Sequence, residues 1–246
     1  MNLPTTPKTW TKTAERPLRS TGSALGVWLF SRVLGVPVPW SAIHQTDGTV
    51  LLAYEHQRLL ALAAAGEQVP PVLAFDGRKL VTGDVGVTLE HLLHRMPEAD
   101  RLPLMRAAAA DLAGFHARGH WHGGAQARNL TWDGQRFARL DFEECLHPPL
   151  PLPTVQLYDA LQLVLSLARF LEPLGPGAVF EVLQAYRQAA DGGPDLAAFV
   201  RRLLPRLRWL LRIASWSTRL DSSREVTRMR TLLAGMQRFV DLAQVR

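Results

Sequence analysis

The chain has 246 residues, of which 47% are hydrophobic and 20% charged, and carries a formal net charge of +6. That length and balance let one domain bury a substantial core, which excludes a disordered or fibrous chain. Lys8, Lys12 and Lys79 are the only lysines, so the basic excess is arginine, whose planar fork matches phosphate oxygens in pairs. A single cysteine, Cys145, rules out an intramolecular disulfide and fits a reducing compartment. Met1 to Ser20 is polar, holds three prolines and has no apolar run of the signal-peptide kind, which reads as cytoplasmic. No apolar stretch reaches the roughly 18 residues of a membrane span.

In chain order, Gly26–Val38 reads as a strand, followed by a turn at Asp47-Gly48. Val50–Ala65 lacks glycine and proline, is rich in leucine and alanine and stops at Gly66, as a glycine-capped helix does. Val69–Ala74 and Leu80–Thr82 read as strands around an Asp76-Gly77 turn. Beyond Pro97 the periodicity is helical: Leu102–Ala117, Val155–Leu171, Ala178–Ala190, Leu196–Ile213 and Glu225–Val245. Strands with one helix, then a helical half, predict an α+β architecture.

The informative stretch runs from His120 to Glu144. Asp133-Gly134, between Leu130–Trp132 and Arg136–Leu140, is a two-residue hairpin signal. That hairpin brings Asn129 and Asp141 to one edge, where an amide oxygen and a carboxylate suit Mg²⁺, a hard ion that takes oxygen ligands and keeps room for phosphates.

The order helix, His-Gly-x5-Asn, hairpin, Asp-Phe-Glu resembles the loop and metal strand of protein-kinase-like phosphotransferases. Within them it is most similar to the bacterial lipopolysaccharide (Kdo) kinase group. The resemblance implies a two-lobed kinase-like fold over the whole chain, with a strand-rich N-lobe and hinge over about residues 20–93 and a helical C-lobe over about 97–246. It implies ATP and Mg²⁺ as ligands, with Asn129 and Asp141 holding the metal, His122 opening the loop and Asp159 bracing the loop backbone. It makes Glu55 the ion-pair glutamate of the N-lobe helix, and puts the adenine hinge at Thr82–Leu93, centred on Asp84 and Val85. Two positions depart from the pattern. Gly124 stands where the family carries its catalytic aspartate, with Gln126 a polar neighbour that can orient a hydroxyl but not take its proton. No lysine lies between Lys12 and Lys79, which leaves Arg32 as the best-placed cation for the nucleotide, and Gly22 and Gly26 as the only candidates for a phosphate-covering loop.

The last third holds nine arginines from Arg201 to Arg230 against Asp221 and Glu225, interleaved with leucines, Trp209 and Trp216. A solvated helix face is one reading. Docking on an anionic lipid or glycolipid at the inner membrane is the other, and it ranks above nucleic acid because no nucleic-acid module accompanies the arginines. The expectation is thus an ATP-dependent phosphotransferase acting on an envelope glycolipid precursor, with a pseudokinase serving as an interaction scaffold as the alternative.

Overall fold

A computed structural model describes residues 8–14, 20–214 and 223–243. The described chain is α+β: helices surround two three-stranded antiparallel sheets.

The first strand, β1 (Thr9–Thr13), lies in the polar segment Met1–Ser20, where no strand was expected. Threonine at every second position and Trp10 between them give it the β-branched and aromatic character of a strand. The region expected as a strand over Gly26–Val38 is instead helix α1 (Thr21–Leu34). Ser20 caps it by accepting the Ser23 N–H, and buried Ala24, Ser31 and Leu34 fall on one helical face rather than on alternate faces of a strand. Gly22 and Gly26 therefore sit on a helix and form no phosphate-covering loop. After the short α2 (Trp40–Ile43), Asp47 caps α3 (Gly48–Ala64) by accepting the Thr49 N–H at 2.9 Å, so Asp47-Gly48 starts a helix instead of a turn. Three helices thus precede the second strand where one was expected, and Asp47-Gly48, expected as a turn, caps the third of them.

Strands β2 (Val72–Phe75) and β3 (Lys79–Gly83) form the expected hairpin. The Asp76 carboxylate accepts the N–H groups of Arg78 and Lys79 across the turn. β3 lies at the centre of this sheet, with Lys12 of β1 opposite Leu80. β4 (Val87–Thr88) leads into α4 (Leu89–Arg95), and α5 (Arg101–Ala117) buries Leu104, Met105, Ala108, Leu112 and Phe115. Each large aliphatic buried this way contributes about 1.5–3 kcal/mol. β5 (Leu130–Trp132) pairs with β4 on one side and with β6 (Phe137–Arg139) on the other. The β5–β6 connection spans residues 133–136, two residues longer than the turn predicted from Asp133-Gly134.

The helical half comprises α6 (Leu152–Ser166), α7 (Ala168–Leu171), α8 (Pro176–Ala189), α9 (Leu196–Ala214) and α10 (Arg224–Ala243). α8 packs on α5 and α10. The α8–α10 crossing needs Gly235, since a Cβ there would lie 2.4 Å from Val179 Cβ and 2.6 Å from the Pro176 carbonyl oxygen. Arg139 of β6 is buried, donates to Asp111 of α5 and lies 4.1 Å over the Phe115 ring, tying the second sheet to the helices. Among the described residues no helix is long and apolar enough to cross a membrane.

Candidate functional site

The loop from His120 to Asn129 is suspended from α6. Asp159, fully buried there, accepts the backbone N–H of His122 at 2.6 Å and of Gly123 at 2.8 Å. Its second neighbour is His116 Nε2 at 3.3 Å. One helical turn further on, Gln162 donates to the Gly123 carbonyl at 2.6 Å and accepts from the Gln126 amide at 3.2 Å. Loop carbonyls and amides that would otherwise be buried without partners are thus met by side chains of one helix. The bracing role expected of Asp159 is the geometry found.

His122 is fully inside, its ring stacked 4.5 Å from that of Phe142. Burial, only partly opposed by the Asp159 charge, pushes its pKa down to about 4, so the imidazole is neutral and its Nδ1 accepts the Gly124 N–H at 3.1 Å. That is a structural task. Gly123 has φ +94°, and a Cβ on it would come 2.9 Å from the Glu144 carbonyl oxygen. Gly124 is different: its φ is unremarkable and the nearest atoms to an added Cβ lie at 3.5 to 3.9 Å, ordinary contact distances.

Asn129 closes the loop. Its Nδ2 donates to the Gly124 carbonyl at 2.9 Å, which leaves its amide oxygen as the group to offer a ligand. Its backbone carbonyl accepts the Leu140 N–H at 2.8 Å, so the β5–β6 hairpin sets Asn129 and Asp141 at the same edge, as the sequence reading required. Asp141 has φ +69°, the only non-glycine among the described residues at positive φ. Aspartate tolerates that region better than most residues.

Opposite this edge stands a cation that the sequence reading assigned elsewhere. Lys12 of β1 places Nζ 2.9 Å from both Glu55 oxygens, 2.5 Å from Asp141 Oδ1 and 2.9 Å from Glu143 Oε1. Burial opposes the charged ammonium, but Glu55, then Asp141 and Glu143, outweigh it, and Lys12 titrates above an ordinary lysine. Burial likewise works against the Asp141 carboxylate, yet the Lys12 charge and hydrogen bond hold it below the usual aspartate range. For Glu55, burial raises the carboxyl against the pull of Lys12. Arg32 is not part of this group: it lies exposed on α1, 4.9 Å over the Trp28 ring. Reading α1 as a strand put the cation on the wrong element. Glu143 is a third anchor for Lys12.

Lys12, Glu55, Asn129 and Asp141 line a cavity of about 360 Å³ between the first sheet and the β5–β6 hairpin. Asp84 and Val85 line it too, with Leu59, Pro70, Leu80 and Leu140 giving apolar walls. Trp10 Nε1 donates to Asp84 at 3.1 Å and closes the β1 side. Glu55, Asn129 and Asp141 all reach this cavity, whereas Gln126 faces separate clefts on the α6 side. Arg58, one turn beyond Glu55 on α3, donates to the Trp121 carbonyl at 2.6 Å and lies 5.8 Å over the Phe142 ring, so the helix carrying Glu55 is coupled to the loop. The donor set fits a hard cation: Asp141 and Asn129 offer oxygens of the type Mg²⁺ takes. No protein-family model and no curated protein matches the chain.

Proposed function

We propose that the chain is an ATP-dependent phosphotransferase of kinase-like fold. The observation that carries this reading is the convergence of Lys12, Glu55, Asn129 and Asp141, drawn from three elements, on an apolar-walled cavity. Phosphoryl transfer is mostly positioning and charge neutralisation, and this arrangement supplies both. Asp141 and the Asn129 amide oxygen would hold Mg²⁺, which neutralises phosphate charge. Lys12, oriented by Glu55, would meet phosphate oxygens, and the backbone at Thr82–Gly86 would face the base. Asp159, His122 and Gln162 keep the loop rigid and touch no substrate.

An anionic lipid or glycolipid is the acceptor class favoured by the surface. On α9, Arg201, Arg202, Arg208 and Arg212 are exposed with Trp209 and Ile213, and exposed Leu25, Leu29 and Phe30 lie on α1, which packs against α9. Arginines over lipid phosphates with a tryptophan at the interface would set the protein on an inner-membrane surface from the cytoplasm. Trp216, Arg219 and Asp221 lie outside the described residues.

The scaffold reading is favoured by one feature, the glycine at 124. The test is thermal melting with and without Mg-ATP, because a ligand for the folded state raises apparent stability by mass action. A Mg-dependent rise in Tm that disappears in Asn129→Ala and Asp141→Ala supports the nucleotide site, and a rise retained by both variants refutes the metal assignment.

A further inference from the structure

A separate cleft of about 300 Å³ lies on the α6 side of the loop, and arginine dominates its charge. Arg128 lines it from the 3₁₀ turn Ala127–Asn129, Arg169 from α7 and Arg228 from α10. α4 packs on that turn and α10 on α7, so tertiary packing gathers three arginines that lie far apart in the chain. Two carboxylates, Glu90 and Glu225, share the lining and leave a positive excess. Glu90 Oε1 is 3.5 Å from Arg169 Nη1, a loose pair, and Glu225 reaches Arg228 but is 80% exposed to water. The Arg228 Nε is buried without a hydrogen bond, with Glu172 3.9 Å away. Arg128 is exposed, and its side chain has no hydrogen-bond or ion-pair partner among the described residues. Such a group suits a phosphate, whose oxygens accept the paired N–H groups of guanidinium.

The place of this cleft matters. Ser166 accepts the Ala127 N–H at 2.9 Å and the Gln126 carbonyl accepts the Asn129 N–H at 2.8 Å, which fixes the backbone that carries Arg128. Arg128 and Asn129 are consecutive, with Cα atoms about 3.8 Å apart, so a group held here adjoins the edge assigned to the metal. A neighbouring cleft of about 310 Å³ shares Gln126, Leu165 and Ser166 with the arginine cleft and is apolar between α1 and α6, at Phe30, Leu34 and Leu161. Phe30, 40% exposed, also belongs to the apolar face of α1. Charge in one cleft and apolar walls in the next match a molecule that carries both.

We propose that the two clefts hold the acceptor as a phosphate-bearing lipid, its phosphate among Arg128, Arg169 and Arg228 and the start of an acyl chain along Phe30, Leu34 and Leu161. The acceptor role rests on the phosphotransferase reading, whereas the binding itself does not. Held this way, the headgroup lies beside the loop and the chain leads out at the α1 face.

The test is calorimetric titration of the full chain with dihexanoyl phosphatidic acid below its micelle concentration, so that no lipid surface is present. Inorganic phosphate and dihexanoyl phosphatidylcholine are titrated alongside. Phosphatidic acid should bind at least tenfold more tightly than either. Arg128→Gln should weaken it about tenfold, and Arg128→Gln with Arg169→Gln further, since hydrogen bonds between charged groups are the strong ones. Mg-ATP affinity should be unchanged in both variants. Replacing Arg202, Trp209 and Arg212 on α9 by alanine should leave the lipid affinity as in the wild type. Arg128→Gln changes an exposed, unpaired side chain, so it tests the site without a loss of folding. Unchanged affinity in the Arg128 and Arg169 variants, or an equal loss in the α9 variant, overturns the cleft as the lipid site. Inorganic phosphate binding as tightly as phosphatidic acid overturns the lipid as its occupant. Arginine-dependent lipid binding by a chain that does not bind Mg-ATP overturns the phosphotransferase reading and leaves the lipid site standing, and Mg-ATP binding without lipid binding does the reverse.

Discussion

Lys12 Nζ is equidistant, at 2.9 Å, from the two carboxylate oxygens of Glu55, a residue 43 positions further along the chain. Lys12→Met removes the cation that three carboxylates share. Mg-ATP affinity should fall about tenfold or more, a loss of about 1.4 kcal/mol. Stability should fall by about 1–2 kcal/mol, a buried-pair cost discounted because the Lys12 side chain is 38% exposed. Arg32→Ala should leave affinity unchanged. Calorimetric titration with Mg-ATP checks both variants, thermal melting checks the stability of Lys12→Met, and equal weakening of affinity by both substitutions would return the nucleotide role to Arg32.

His122 gives the protein a defined acid sensitivity. Its folded pKa is about 4 against 6.5 for an ordinary histidine, so well above pH 6.5 both states are neutral and the group contributes no slope. As pH falls from 6.5 to 4, the unfolded chain binds a proton that the folded one refuses, and stability declines by about 3 kcal/mol. Urea melts at stepped pH should show this decline in the wild type. His122→Gln should flatten it, whatever its stability at pH 7.

Asp159→Ala should be more harmful than its distance from the cavity suggests. It strands the N–H groups of His122 and Gly123 in a buried position, at about 1–3 kcal/mol each. Thermal melting should show the loss, and Mg-ATP affinity should fall with it because Asn129 is tied to the same loop at Gly124. Retention of both properties would show that Gln162, with Gln156 donating to the His120 carbonyl at 2.9 Å, suffices to hold the loop.

The α9 surface should carry the protein down with anionic vesicles and release it as salt rises, since exposed charge attraction is screened over about 10 Å at 0.1 M ionic strength. Replacing Arg202, Trp209 and Arg212 together by alanine should abolish recovery without lowering Tm, all three being exposed. Equal sedimentation with neutral vesicles counts against an electrostatic dock.

The parts of the site that the sequence made legible are those close together in the chain. His122, Asn129 and Asp141 sit within one loop and one hairpin, so their spacing alone placed two of them at a common edge. Asp159 falls early in the next helix and was equally accessible. Lys12 was not, because its place depends on β1 pairing with β3, Thr9 opposite Gly83, a contact no local pattern states. The alternating threonines of Thr9–Thr13 were the available signal. Arg32 was misplaced because Ser20 and Gly35, the two ends of a capped helix, were not weighed against the apolar run between them. The place of Glu143 beside Lys12 depends on the same long-range pairing, since it takes β1 to bring that ammonium to the backbone after Asp141.

The adjacent glycines at 123 and 124 also differ in what mutation can do to them. Glycine codons become aspartate or glutamate codons by a change of the middle base alone, so both positions are one genetic step from an acid. At 123 that step is closed by backbone geometry and by the Glu144 carbonyl. At 124 the geometry leaves it open, since the nearest atoms to an added Cβ lie at 3.5 to 3.9 Å, ordinary contact distances. An acid at 124 is therefore one base change away and needs no backbone rearrangement, whereas at 123 the same change has nowhere to go.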